Sequence, residues 1–213
     1  MKFYGYWRSS AAYRVRIALN LKGLSYDFVP VNIAPDFSEQ LSADYLSHNP
    51  EGRVPAVETE KGVLGQSMAI LEWLDETQPT PPLLPAERWQ RARCRAFANT
   101  IACDIHPLNN LSVLRRLKSD FGASDDQTKR WYQDWIGRGF GPLETIAAAR
   151  NTDFIFGDAP GLAEICLIPQ MANGRRFGME LTEFPALCDI EAKCFELQAF
   201  ALARPENQPD AVA

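Results

Sequence analysis

Apolar and polar positions change their spacing along the chain, and the change separates two kinds of segment. The aromatic run at residues 2–6 predicts a strand, followed by a short loop at 7–8. From Ser10 the apolar positions fall at Tyr13, Ile17 and Leu21, filled in by Val15, Ala18 and Leu19, a helical period that Gly23 can close. Residues 26–32 read as a second strand, completing a βαβ unit. An irregular stretch then runs to Asn49-Pro50. Short strands at 54–58 and 63–65 flank a polar turn at 59–62, and a helix from Ser67 to about Glu76 places Ile70, Leu71 and Leu74 on one side.

Residues 78–85 read Gln-Pro-Thr-Pro-Pro-Leu-Leu-Pro, where neither a helix nor a central strand persists. Beyond it the pattern is helical: one helix from about Ala86 interrupted by Pro107, then others over 125–149, 161–177 and 185–197, with an extended tail from Arg204. The expected organisation is a first domain at 1–80, a linker at 81–86 and an all-helical domain at 87–213. The order βαβ then ββα predicts a four-stranded mixed sheet, because a parallel pair needs a crossover helix while the last pair can be a hairpin. It resembles the thioredoxin-like fold.

Composition narrows the function classes. With 213 residues, 46% apolar and 23% charged, the chain reads as globular rather than disordered. No stretch of about 18 uncharged apolar residues is present to span a membrane, and no secretory signal is expected at the start. The net charge of −5 argues against a nucleic-acid partner. Five cysteines without a CxxC pair, and only His48 and His106 as histidines, predict no metal site, free thiols and a cytoplasmic setting.

Three junctions of the first domain carry candidate chemistry. Arg8, Ser9 and Ser10 lie where the first strand meets the first helix, whose unpaired N–H groups and dipole favour anions. Ser9 or Ser10 can cap the helix or donate to a bound thiolate. The loop holds no cysteine, so sulfur chemistry here needs a ligand that brings the sulfur. Val54-Pro55 opens the third strand, and Gln66-Ser67 opens the next helix with Ser67 as the expected N-cap.

The ordered set Trp7-Arg8-Ser9-Ser10, Tyr13 to Leu19, Lys22-Gly23, Asn49-Pro50, Val54-Pro55 and Gln66-Ser67 resembles the zeta class of glutathione transferases. The likeness continues through Pro79 to Pro85, Asp104 to Asn110, Gly157-Asp158, Pro169-Gln170, Arg175-Arg176-Phe177, Leu181-Thr182 and Phe184-Pro185, covering nearly the whole chain. The resemblance implies glutathione in the thioredoxin-like domain. Ser9, with Ser10 as alternative, would bond the sulfur; Val54 beside a cis Pro55 would pair with the cysteinyl backbone; Gln66 and Ser67 would hold the γ-glutamyl group. Arg8, by its place beside Ser9, is the first candidate for a carboxylate-binding catalytic residue; the resemblance also implies Arg176 in that role, His106 and Asn110 as glutathione contacts, and a homodimer. Arg14 and Arg16 read as structural or interfacial.

Two positions depart from the family pattern. Ala11 stands where the zeta class usually has cysteine, as it does not in maleylpyruvate isomerases, which favours a serine-assisted thiolate. Gly161 replaces the usual Thr or Ser of a helix cap, leaving Glu164 to reach back. The leading expectation is a glutathione-dependent cis–trans isomerase of maleylpyruvate or maleylacetoacetate. The alternatives are a broad transferase that conjugates or dehalogenates small electrophiles, and a non-catalytic binding protein.

Overall fold

Four short strands form one sheet in the computed structural model, which describes residues 1–212: β1 (Lys2–Gly5), β2 (Asp27–Pro30), β3 (Ala56–Thr59) and β4 (Gly62–Gly65), in the order β2-β1-β3-β4. β1 runs parallel to β2 and antiparallel to β3, and β3 runs antiparallel to β4. Both faces of β1 are covered. Phe3 packs against Tyr26 and Phe28, while Tyr4 joins Val31, Tyr45 and Ala56 in a separate cluster. The expected strand at 54–58 begins two residues late. Pro55 has no N–H to give the ladder, so pairing starts at Ala56.

Helix α1 (Ser10–Leu21) is buried from Ser10 through Leu19, including Arg14 and Arg16. The irregular stretch before Asn49 contains α2 (Ala43–His48), capped by Ser42, whose side chain accepts the Tyr45 N–H. α3 (Ser67–Thr77) packs against α1. Lys22, just after α1, fastens the proline segment by donating to the carbonyls of Gln78 and Pro81 at 2.5 and 2.8 Å. Asp75 completes this knot, accepting from Lys22 and from the Leu83 N–H.

The compact units divide between Leu83 and Leu84, and residues 195–212 belong to the first unit. That differs from the expected single domain over 87–213. The reason is α9 (Gln198–Ala203), which lies against α1. The tail expected to be extended instead folds back through a 3₁₀ turn at Pro205–Asn207.

The second unit, Leu84–Cys194, is built from α4 (Arg88–Asn99), α5 (Leu111–Phe121), α6 (Asp125–Ala148), α7 (Leu162–Arg176) and most of α8 (Pro185–Phe195). α7 is buried on nearly all sides, as a helix without a polar face must be. The kink expected from Pro107 inside a helix takes another form. α4 widens into a π-helical turn, Thr100–Ile105, closed by His106 N–H donating to Ile101 O at 2.9 Å. The helix has therefore ended before Pro107, which sits in the turn leading to α5.

Gly139 on α6 marks where this π turn packs closest: a Cβ there would fall 2.6 Å from Cγ1 of Ile105. Alanine gains about 1 kcal/mol of helix propensity, but overpacking a filled core costs about 1–3 kcal/mol. Gly139→Ala is expected to lower the denaturation midpoint, a net loss of roughly 1 kcal/mol.

Candidate active site

Strand register brings three junctions of the first unit to one end of the sheet. Tyr4 on β1 faces Ala56 on β3, and Ala56 faces Gly65 on β4. The exit from β1 (towards Ser9), the entry to β3 (Val54-Pro55) and the exit from β4 (Gln66-Ser67) therefore share that end. No pairing of distant residues was needed beyond the ladder itself.

Ser9 is the N-cap of α1. Its Oγ accepts the Ala12 N–H at 3.2 Å, and its own N–H donates to Tyr6 O at 3.0 Å. An oxygen that already accepts from a helix amide has its hydroxyl proton left to give, so Ser9 can cap the helix and donate to an anion at once. Ser9 is half-buried, whereas Ser10 is buried as the first residue of α1. No acidic side chain occupies the first turn of α1, so no residue of the helix itself offsets its positive end. Arg8 is exposed, its guanidinium 5.4 Å from the centre of the Trp7 ring.

The Val54-Pro55 bond is cis. Among the described residues neither the N–H nor the C=O of Val54 enters a backbone hydrogen bond, leaving one donor and one acceptor for an extended peptide. The preceding carbonyl, that of Arg53, is held by the Tyr45 hydroxyl at 2.6 Å and Asn49 Nδ2 at 2.9 Å. Tyr45 and Asn49 are thus positioning residues that sequence reading passed over; the Asn49-Pro50 motif was the available signal.

Ser67 is not the N-cap of α3 but its first residue. The cap is Gln66, whose φ of 63° is a left-handed conformation that non-glycine residues hold only at a cost. The result aims the Gln66 amide at Glu51 Oε2, 2.5 Å away. Ser67 Oγ accepts from Nη1 of the buried Arg14 at 3.3 Å, tying the start of α3 to α1. Arg14, read as structural, therefore supports a candidate ligand contact.

In the helical unit, Arg175 and Arg176 part company. Arg175 forms a two-pronged pair with Glu191, which holds its guanidinium charged above the ordinary range. Arg176 makes no salt bridge among the described residues. Its Nη2 donates to Asn173 Oδ1 at 3.0 Å, and its guanidinium lies 5.1 Å from the Phe177 ring. Phe177 in turn stacks on Tyr132, with ring centres 3.6 Å apart. Burial pushes the Tyr132 phenol up, and the nearby Arg176 charge opposes it. Arg176 is therefore an oriented cation without a carboxylate.

Asn110 caps α5, its Oδ1 accepting the Ser112 N–H at 3.0 Å and the Ser112 hydroxyl at 2.9 Å. That role engages one end of the amide and leaves Nδ2 as the group a ligand could meet. His106 is half-buried at the end of the π turn. The turn after it is tied to α6, with Trp131 Nε1 donating to Leu108 O and Asn109 Nδ2 donating to Tyr132 O.

A model of the glutathione S-transferase N-terminal domain matches residues 1–76. A probable maleylacetoacetate isomerase of Vibrio cholerae is 44% identical over 208 residues, covering 98% of this chain and 97% of its own. The holo structure of a maleylpyruvate isomerase, described as a bacterial zeta-class glutathione S-transferase, superposes with a TM-score of 0.96 at 43% identity, all of both chains being covered. A maleylacetoacetate isomerase of Methylobacterium extorquens AM1, solved with malonate and GSH bound, gives a TM-score of 0.94 at 39% identity, again over the full length of both. With the thioredoxin-like sheet, the helical second unit and likeness of this extent from end to end, the chain belongs to the zeta class of glutathione transferases, the family of maleylacetoacetate and maleylpyruvate isomerases.

Proposed function

We propose that the protein is a glutathione-dependent cis–trans isomerase acting on a maleyl dicarboxylate, maleylpyruvate or maleylacetoacetate, in the breakdown of aromatic compounds. One observation carries the reading: a helix-capping serine with a hydroxyl proton to spare, in a loop that has no thiol of its own. The residues fit glutathione. Val54 offers an unpaired N–H and C=O to its peptide backbone, and Ser67, in a first turn of α3 that holds no acidic residue, suits its γ-glutamyl carboxylate, with Gln66 joining once its amide turns from Glu51. His106 and Asn110 are further contacts in this proposal.

Bound glutathione supplies a thiolate that adds to one alkene carbon and later leaves, so that the bond between is single long enough to rotate. The chain's part is electrostatic. Ser9 Oγ–H and the first-turn amides of α1 keep the sulfur anionic near neutral pH, below the ~8.5 of a free thiol. Each of Arg8 and Arg176 offers a guanidinium to a substrate carboxylate, where planar two-point recognition favours arginine over lysine.

The test is an assay of both maleyl substrates with and without glutathione. Turnover only with glutathione is expected; glutathione binding with conjugation of small electrophiles and no isomerisation would make the protein a general transferase, and no binding would end the proposal. Ser9→Ala is expected to raise the pKa of the bound thiol by about 1–2 units, the worth of a hydrogen bond to a charged group. Each remaining thiolate is then more nucleophilic, with a Brønsted coefficient of about 0.5, so the net loss in kcat/KM at neutral pH is at most about three- to tenfold. The deficit shrinks as the pH rises past both values, which a pH–rate profile reads directly.

The same proposal places the enzyme in the cytoplasm as a homodimer. All five cysteines are free thiols, and no described helix is long and apolar enough to cross a membrane. A solution mass of one chain would refute the dimer.

A further inference from the structure

We propose that Arg16 and Asp210 form a brace by which the end of the chain positions the loop carrying Ser9, making both of them positioning residues for the sulfur site. The inference rests on the reading of Ser9 given above and extends it to residues that touch no ligand.

The loop is held one residue before Arg8, from both sides of the Trp7 backbone. The Trp7 N–H donates to Asp210 Oδ2 at 2.9 Å, and Trp7 O accepts from Arg16 Nη2 at 3.1 Å. Arg16 Nη1 reaches Tyr6 O at 3.4 Å, the same carbonyl that receives the Ser9 N–H. The third nitrogen, Nε, donates to Ala203 O at the end of α9, 3.1 Å away. One planar guanidinium thus joins the β1–α1 loop to the C-terminal helix through three carbonyls.

This arrangement is costly, which argues that it is built for placement. Arg16 is fully buried, and among the described residues its guanidinium hydrogen-bonds only to carbonyls; burial lowers its pKa to about 10, with Tyr13, Tyr26 and Asp210 pulling the other way. A buried charge of this kind persists only where its geometry is over-determined. The tail that supplies Asp210 is itself fixed. Gln208 Nε2 donates to Leu202 O and Arg204 O at 2.9 and 2.8 Å, and Asn207 Nδ2 to Ala201 O at 2.8 Å. The Asn20 side chain adds a bond from α1 to Ala199 O. Tail, α9 and α1 are one scaffold, and Trp7 is its point of contact with the loop.

A hydroxyl that stabilises a thiolate works through placement, so loosening Trp7 should weaken it. Asp210→Ala removes the acceptor and leaves α9 and Arg16 in place. Its bound glutathione thiol, titrated by thiolate ultraviolet absorbance in the whole protein, is expected to rise in pKa by about half a unit, which cuts the thiolate fraction at neutral pH by up to about threefold. The fall in kcat follows it, with KM for the maleyl substrate unchanged. Asp210→Asn keeps an accepting oxygen and is expected to restore both. Arg16→Lys cannot span three carbonyls and shifts the titration the same way; should it fail to accumulate, Asp210→Ala decides alone.

A lowered melting temperature with an unmoved thiol titration in Asp210→Ala would reduce the brace to a structural contact and overturn the proposal, as would failure of Asp210→Asn to rescue. If the wild-type protein itself bound glutathione without lowering its thiol pKa, the reading of Ser9 would fall first and this inference with it.

Discussion

Arg176→Ala is expected to raise the KM for a maleyl dicarboxylate about 30-fold, the equivalent of about 2 kcal/mol for a hydrogen bond to a charged group. The smaller figure for exposed ion pairs, ~0–1 kcal/mol, applies where a long side chain must be ordered at the moment of pairing. Here the ordering is already done: Asn173 holds one nitrogen, and the Phe177 ring, stacked on Tyr132, lies beneath the guanidinium. Arg176→Lys recovers little, because an ammonium cannot meet a carboxylate at two points.

The adjacent residue supplies the control. Arg175→Ala is expected to leave KM unchanged and to lower the melting temperature, since Glu191, 6% exposed, loses its partner. With Arg175 itself half-exposed, the expected loss is about 1 kcal/mol, short of the larger figure for a fully buried pair. Steady-state kinetics and thermal denaturation of the two variants side by side separate binding from stability. If Arg175→Ala carries the KM effect instead, the assignment of the substrate carboxylate is wrong.

How much of this was legible in the chain depends on the distance over which each feature is decided. The strands, α1 and α3 follow from local period. The gathering of Ser9, Val54-Pro55 and Gln66-Ser67 then follows from strand order, since a four-stranded mixed sheet leaves those junctions at one end. α2 escaped notice because six residues hold less than two turns of period, and its signal is the Ser42 cap alone. Gln66 as the cap of α3 was hidden by Ser67, a residue with the right chemistry one position too late.

Other features could not be read locally at all. Nothing near Arg16 or Asp210 announces that they meet at Trp7, because α9 had first to fold against α1. Pro107 was a true signal with a misleading form: it marks the end of a helix, but the change of direction is made before it, by the π turn. Arg175 and Arg176 are chemically identical in sequence, and only the position of Glu191 on α8 tells the paired one from the available one.

Glu164→Ala is expected to destabilise the protein by about 3 kcal/mol, the largest stability effect among these substitutions. The start of α7 lacks a capping hydroxyl because Gly161 stands there, and Glu164 compensates from three residues on. Its Oε2 accepts the Gly161 N–H and its Oε1 the Ile155 N–H, both at 2.8 Å. The carboxyl is 2% exposed, and desolvation pushes its pKa up while these bonds oppose the rise. Alanine would strand the buried Ile155 amide at about 1–3 kcal/mol and the partly buried Gly161 amide at somewhat less, partly offset by no longer burying a carboxylate. In melting temperature the loss is about 6–12 °C for a chain of this size. Glutamine accepts one amide but turns an NH₂ toward the other, so Glu164→Gln should fall between. Gly161→Ser has the opposite sign: its backbone is already extended, and the added hydroxyl should gain a few tenths of a kcal/mol. Thermal denaturation of the three variants ranks them, and a Glu164→Ala protein as stable as wild type would show that water, not the side chain, satisfies the start of α7.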